Sequence, residues 1–362
     1  MSALTIIIAI FAVLGAADCL FGSKLGVGRE FERAFSLFGP MALSMLGMIV
    51  IAPAMGEWLM PAFDGFYKLF GIDPSIIPAS LFANDMGGAA LAQSVCKSEE
   101  MGGFHAMVVA SMMGCIISFT IPFALGVVQR EQRKPLFFGL LCGIVTIPVG
   151  CFAAGLLCGL SPLVLLVDLI PLILLSALVA VALILIPRIC IKCFEVFGYC
   201  IKVVAVAGLA CAIVTFLTGF TISPHFERLE NAAMICVNAC VTLAGALPLM
   251  YLVGKLLHKP LQKLSGGIGI DPTSAVAFTG TLVTNATTFG MMDRMNKKGV
   301  ALNAAFAVSA SFVFGDHLAF TMAYDARYVT PMIVGKLTAG VFAVLLAALL
   351  YREYTDSAKS TI

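Results

Sequence analysis

Runs of 18 to 25 predominantly apolar residues follow one another from end to end of the chain, separated by short polar links. At about 1.5 Å per helical residue, each run is long enough to cross a hydrocarbon core of roughly 30 Å. The pattern predicts nine full helical spans, near 2–21, 36–60, 103–128, 136–159, 162–187, 198–220, 231–256, 299–323 and 331–351. Two further stretches, 74–98 and 272–296, are too polar at their centres for ordinary spans. One carries Asn84-Asp85 followed by Gly87-Gly88, the other Thr284-Asn285 followed by Thr287-Thr288. Each divides into two arms of about ten residues, or roughly 15 Å, half the membrane. The expectation is two re-entrant helical hairpins, because a broken backbone is tolerated at membrane depth only where protein or a watery cavity satisfies its freed amide groups.

The same landmarks recur in order. Phe31-Glu32-Arg33 returns as Phe226-Glu227-Arg228 and Pro53 as Pro248, both 195 residues on, and Ile72-Asp73-Pro74-Ser75 returns as Ile270-Asp271-Pro272-Thr273, 198 residues on. This predicts a first repeat over 1–160 with its hairpin at 74–98, a connecting transmembrane helix over 161–190, and a second repeat over 191–362 with its hairpin at 272–296. Five full spans precede the second repeat, so it enters the membrane with the opposite orientation. The predicted fold is therefore an all-α polytopic membrane protein with inverted structural repeats and two re-entrant helical hairpins. Secondary transporters share that arrangement, with the solute bound near the midplane between the repeats.

Composition agrees with the pattern: 60% of residues are apolar and 12% charged, far from the balance of a water-soluble domain. A net charge of +2 gives no footprint for nucleic acid. With the N-terminus outside and both hairpins returning to their own side, 17 of the 22 lysines and arginines fall inside, Arg352 and Lys359 among them; cytoplasmic loops collect such residues. The C-terminus is then cytoplasmic. The first run lacks a basic start and keeps Asp18, so it is expected to belong to the mature protein. The twelve cysteines lie mostly inside spans without framework spacing, and Cys190 and Cys193 lack a second pair or a histidine, so no metal is expected. Neither HExxH nor GxSxG occurs, and the chain is not expected to be an enzyme.

An ionisable group at membrane depth costs on the order of 3 kcal/mol or more, which makes it a functional candidate. Asp85, beside Asn84 at the tip of the first hairpin, suits a cation, with coupling or a tie within its own hairpin as alternatives. Asp316 and His317 fall a few residues from the centre of the eighth span; Asp316 offers a second contact or a structural bond, and His317 a proton carrier near neutral pH. Thr284, Asn285 and Thr287 at the second hairpin can serve a hydroxyl or cap the broken arms. Asp18, Asp168 and Lys336 are expected near span ends, explained by snorkelling or a local ion pair. His105 and Asn303, 198 residues apart, are expected to share a structural role.

Leu81-Phe82-Ala83-Asn84-Asp85-Met86-Gly87-Gly88-Ala89-Ala90-Leu91-Ala92, then Asp293-Arg294-Met295-Asn296-Lys297, then Phe314-Gly315-Asp316-His317-Leu318-Ala319-Phe320 resemble the EutH ethanolamine permease family of bacterial ethanolamine utilisation, and the resemblance runs over essentially the whole chain. It implies uptake of protonated ethanolamine across the bacterial cytoplasmic membrane, with no cofactor and with the degrading enzymes as separate proteins. A small cation with one hydroxyl wants a carboxylate, an aromatic face and a polar partner for its alcohol. Two other classes stay open: the same architecture carrying another solute such as a nucleoside, and an intramembrane enzyme or sensor. Beyond solute and lipid bilayer, a homodimer is the partner such small-residue-rich helices suit.

Overall fold

The computed structural model describes residues 3–359, with backbone alone at Leu264 and 352–359. Ser2, where the first predicted span begins, and residues 360–362 lie outside the described residues, as do the side chains of Arg352 and Lys359. Among the described residues every regular element is a helix. The first half runs α1 (Ala3–Leu20), α2 (Val27–Ser36), α3 (Phe38–Phe70), α4 (Ile76–Leu81), α5 (Gly88–Val95), α6 (Glu99–Phe104), α7 (Ile121–Val127) and α8 (Arg133–Leu157). Then come α9 (Pro162–Asp168) and α10 (Ile170–Leu185). The second half runs α11 (Pro187–Thr218), α12 (Leu229–Ile268), α13 (Pro272–Thr281), α14 (Asn285–Gly290), α15 (Lys297–Ala310), α16 (Asp316–Tyr324) and α17 (Val329–Lys359).

Among the described residues seven helical runs are long and apolar enough to cross a membrane, and α9 with α10, bent by 43°, makes an eighth. These match eight of the nine predicted spans. The exception is 299–323, where the expectation of one continuous helix fails: α15 stops at Ala310 and α16 begins at Asp316. Phe312 turns into the left-handed region at φ 63°. The amides this frees find acceptors on the neighbouring segment, Phe312 N–H donating to the Thr281 carbonyl at 3.3 Å and Phe314 N–H to the Leu282 carbonyl at 2.8 Å. Hydropathy along the chain carries no sign of a break that is stabilised by acceptors some thirty residues away in sequence. The span at 103–128 is unbroken but underwound into π-helix over His105–Gly114 and Ile116–Thr120, a form that often marks functional positions.

Each Asp-Pro landmark closes its broken segment into a loop. Asp73 accepts from the Ser75 amide and hydroxyl and, through its other oxygen, from the amides of Lys97 at 2.9 Å and Ser98 at 3.0 Å. Asp271 does the same at the other broken segment: it caps α13 through the Ser274 amide at 2.9 Å, accepts from the Ser274 hydroxyl, and accepts from the Asn296 amide at 2.8 Å. In both segments the exit strand of chain returns to the residue at which the segment began. Asp271→Ala removes a helix cap and that closure together, and caps alone are worth about 1–2 kcal/mol. The expected result is a lower unfolding temperature for the purified protein in detergent; an unchanged one would mean the closure contributes nothing.

Packing puts the two halves in reciprocal contact, with α1 against α12, α11 against α3, and α8 against both α15 and α17. The run from α6 through α7 lies at the centre, 83% buried, whereas α1 and α11 are mostly exposed along apolar faces. An apolar exterior around a buried, partly polar centre is what lipid as solvent selects.

Candidate functional site

Between the halves lies a cavity of about 270 Å³ lined by Leu37, Pro40, Met41 and Ser44 of the α2–α3 region, Ala83, Asp85 and Met86, Cys115 and Phe119, and Phe312, Asp316 and His317. Both breaks are needed to build it. Asp85 sits in a 3₁₀ turn, Asn84–Met86, between α4 and α5. Gly87 leaves that turn at φ 93°, a conformation glycine reaches without strain, and at Gly88 a Cβ would meet the carbonyls of Phe82 and Ala83. Asp316 is the first residue of α16, at the positive end of the helix dipole. Had 299–323 been one helix, Asp316 would have been one side chain among many on its flank.

Aromatic rings form the rest of the wall. Phe119 and Phe312 meet edge to face with centroids 5.8 Å apart, and the Phe312 ring lies 5.0 Å from that of His317. A chamber with two carboxylates and aromatic faces suits a small organic cation, which the ring quadrupoles attract at about 0.5–2 kcal/mol each.

Three predicted site residues, Asp85, Asp316 and His317, therefore come together. Asn84 is fully buried beside them, with neither its amide nitrogen nor its oxygen hydrogen-bonded to protein. Asn285 is buried and donates to the Thr120 hydroxyl at 3.1 Å, which in turn meets the Cys115 thiol at 3.6 Å, so it reaches the cavity wall only through intermediaries. Thr284 and Thr287 face elsewhere. They line a separate cavity of about 550 Å³ with Glu30, Arg33, Lys255, His258 and Lys259. There Thr284 caps α14 by accepting from the Ala286 amide, and Thr287 donates to the Thr284 carbonyl at 2.9 Å.

Among the charged residues expected near span ends, Asp18 accepts from the amides of Leu25 at 2.9 Å and Gly28 at 2.8 Å and so fixes the start of α2. Lys336 departs from the expectation. It is 1% exposed, and its ammonium donates to the Ser111 carbonyl at 2.6 Å and to His317 Nδ1 at 3.0 Å. The helical run around it starts at Ala326, five residues before the predicted 331, so Lys336 lies deep rather than near an edge. Its charge acts on Asp85, and that of Asp85 on Asp316. No snorkelling is open to a side chain with this burial.

A second polar cluster was not apparent in the sequence. Ser75 Oγ meets His105 Nδ1 at 2.8 Å and His105 Nε2 meets Asp168 at 2.5 Å, the order of a serine–histidine–aspartate triad. Its hydroxyl, however, donates to Asp73 at 2.6 Å and Ser75 is fully buried. In the other half Asn303 stands in place of His105 and donates to the Ser274 carbonyl at 2.9 Å. Both residues tie the start of a broken segment to the next helix, the shared structural role expected of them.

Over residues 2–350 the chain matches the family model described as "Ethanolamine utilisation protein, EutH". It is 40% identical over 335 residues to the "Probable ethanolamine permease EutH" of Listeria monocytogenes serotype 1/2a (strain 10403S), covering 92% of this chain and 90% of that protein. It is 36% identical over 346 residues to the "Uncharacterized protein YxeR" of Bacillus subtilis (strain 168), covering 96% and 94%. With the "Probable ethanolamine permease EutH" of Escherichia coli (strain K12) it shares 34% identity over 366 residues, covering 94% and 90%. No solved structure matches the chain. On a family match and relatives that each extend over nearly the full chain, this multi-pass membrane protein belongs to the EutH family.

Proposed function

We propose that the chain is a permease, not an enzyme, and that it takes up ethanolamine in its protonated form across the bacterial cytoplasmic membrane. The observation that carries the reading is the convergence of Asp85 and Asp316, with Phe119 and Phe312, on one cavity between the halves. The names of the relatives supply the solute, and the chemistry of the cavity fits it: carboxylates for the ammonium, aromatic faces for its methylenes and charge, and the Ser44 hydroxyl and Asn84 amide close by for the alcohol. A nucleoside brings no cation to neutralise two carboxylates, so the cavity favours the amine.

The mechanism proposed is alternating access, one repeat rocking on the other while the solute sits between the tips of two re-entrant hairpins. Support comes from the closure of each broken segment by Asp73 or Asp271 and from the reciprocal packing of α1 on α12 and α11 on α3. An N-terminus outside and a C-terminus inside are supported by charge. Arg33, Lys255 and Lys259, all assigned inside, share one cavity, whereas Arg327, assigned outside, pairs with Glu99 at 3.1 Å, two residues from Lys97, also assigned outside.

The test is uptake of labelled ethanolamine by liposomes containing the purified protein at mildly acidic pH, with and without an imposed proton gradient. Uptake independent of the gradient is expected of facilitated diffusion and uptake driven by it of coupled transport; none under either condition would defeat the reading. Phe119→Leu is expected to raise the KM for ethanolamine about fivefold, the loss of a cation–π contact of about 1 kcal/mol. The concentration dependence of uptake measures it, and an unchanged KM would remove Phe119 from the site.

A further inference from the structure

We propose that Lys336 sets the charge selectivity of the cavity, holding it at one net negative charge so that it accepts a single monovalent ammonium and refuses a dication. The inference rests on reading the cavity as an ammonium site and adds what decides which ammonium compounds enter.

Lys336 comes from α17, is 1% exposed, and donates at once to the Ser111 carbonyl on the π-helical stretch and to His317 Nδ1 on α16. A carbonyl oxygen can only accept, so the 2.6 Å contact makes the lysine nitrogen the donor, the role of an ammonium with three hydrogens and no acceptor capacity. Nδ1 of His317 then accepts, which places the ring proton on Nε2 and leaves the imidazole neutral. Both partners of the ammonium are neutral, and among the described residues no carboxylate lies within ion-pair distance of it. A buried cation without a paired anion is costly in a membrane protein, so its counter-charge must come from further away.

That counter-charge is the cavity. His317 both lines the cavity and bonds Lys336, so the ammonium stands one imidazole behind the wall that carries Asp85 and Asp316. Cys115 is the remaining titratable group on the wall. Arg33, a base whose field reaches Asp316, is exposed and paired with Glu30 at 3.2 Å. With the two carboxylates ionised, the form that an ammonium entering the cavity favours, the lysine charged and the imidazole neutral, the cluster carries one net negative charge. One bound monocation makes it neutral. Without the lysine the same cavity would carry two, the complement of a short diamine.

Ethylenediamine provides the probe, because it is ethanolamine with the hydroxyl replaced by a second ammonium and has the same number of heavy atoms. The experiment compares uptake of labelled ethanolamine, and its inhibition by ethylenediamine at mildly acidic pH, for the wild type, Lys336→Arg, Lys336→Met, Asp316→Asn and Asp316→Asn/Lys336→Met in liposomes. Monodispersity in detergent serves as the check on folding. The wild type and Lys336→Arg should favour ethanolamine. Lys336→Met should shift the preference toward the diamine by about a hundredfold, Asp316→Asn should lose ethanolamine uptake, and the double variant, with its net charge restored, should regain it.

A folded Lys336→Met that keeps the wild-type preference overturns the proposal, as does a folded double variant no better than Asp316→Asn. If Lys336→Met does not fold alone, the double variant, which removes one charge of each sign, decides in the same way. A strut that merely held α16 against α17 would not be rescued by losing a carboxylate as well. Failure of the wild type to take up ethanolamine at all would instead strike the ammonium reading itself.

Discussion

Asp85→Asn is expected to abolish ethanolamine uptake at limiting substrate and to leave little at saturation. The substitution keeps the size and hydrogen-bonding capacity of the side chain and removes its charge, leaving a desolvated ammonium to face Asp316 alone with Lys336 behind it. Truncating one partner of a buried charge pair costs about 3–5 kcal/mol, and about 3 kcal/mol is already more than a hundredfold in affinity. Direct binding of labelled ethanolamine to the purified variant, beside liposome uptake, separates the loss of the site from the loss of motion. Normal transport by a folded Asp85→Asn at limiting substrate would remove the central element of the proposed mechanism.

The second large effect is on stability. Asp168→Ala leaves His105 fully buried with its Nε2 partner gone, while its Nδ1 stays engaged by Ser75 and, through Ser75, by Asp73. Removing one member of a buried hydrogen-bonded pair costs about 3–5 kcal/mol. The pair ties the π-helical stretch to α9 and, through Asp73, to the closure of the first broken segment. Thermal unfolding of the purified variant should therefore begin well below that of the wild type. Uptake per folded molecule should stay near normal, because none of these residues lines the cavity with Asp85. A variant as stable as the wild type but unable to transport would assign the cluster to the chemistry of the solute instead.

These expectations show where the reading of the sequence was sufficient and where it was not. Asp85 and Asp316 stood out because charge is rare at membrane depth, and that argument needs only the hydropathy around each residue. Lys336 is hidden from hydropathy, because depth depends on distance from the span edge and the helix begins earlier than the apolar run suggests. Phe119 and Phe312 were invisible for the opposite reason. An aromatic residue in an apolar run is ordinary, and only the left-handed turn at Phe312 and the π-helical underwinding around Phe119 aim them at one cavity. Thr284 and Thr287 resemble Asp85 in sequence because both stretches are broken, yet the two breaks face different cavities.

By itself the sequence determined the solvent, the helical class, the approximate extent of eight spans and the two polar interruptions, since all follow from the period and length of apolar runs that lipid must surround. Its long motifs around Asp85 and Asp316 also determined the family. Tertiary structure alone decided that the ninth run breaks at Phe312, that Asp316 heads a helix, and that a lysine and two carboxylates share one buried cluster. The physical reason is that a broken helix is stable only where another segment satisfies its freed amides, and the acceptors that allow this break, the carbonyls of Thr281 and Leu282, become its neighbours only when the chain folds.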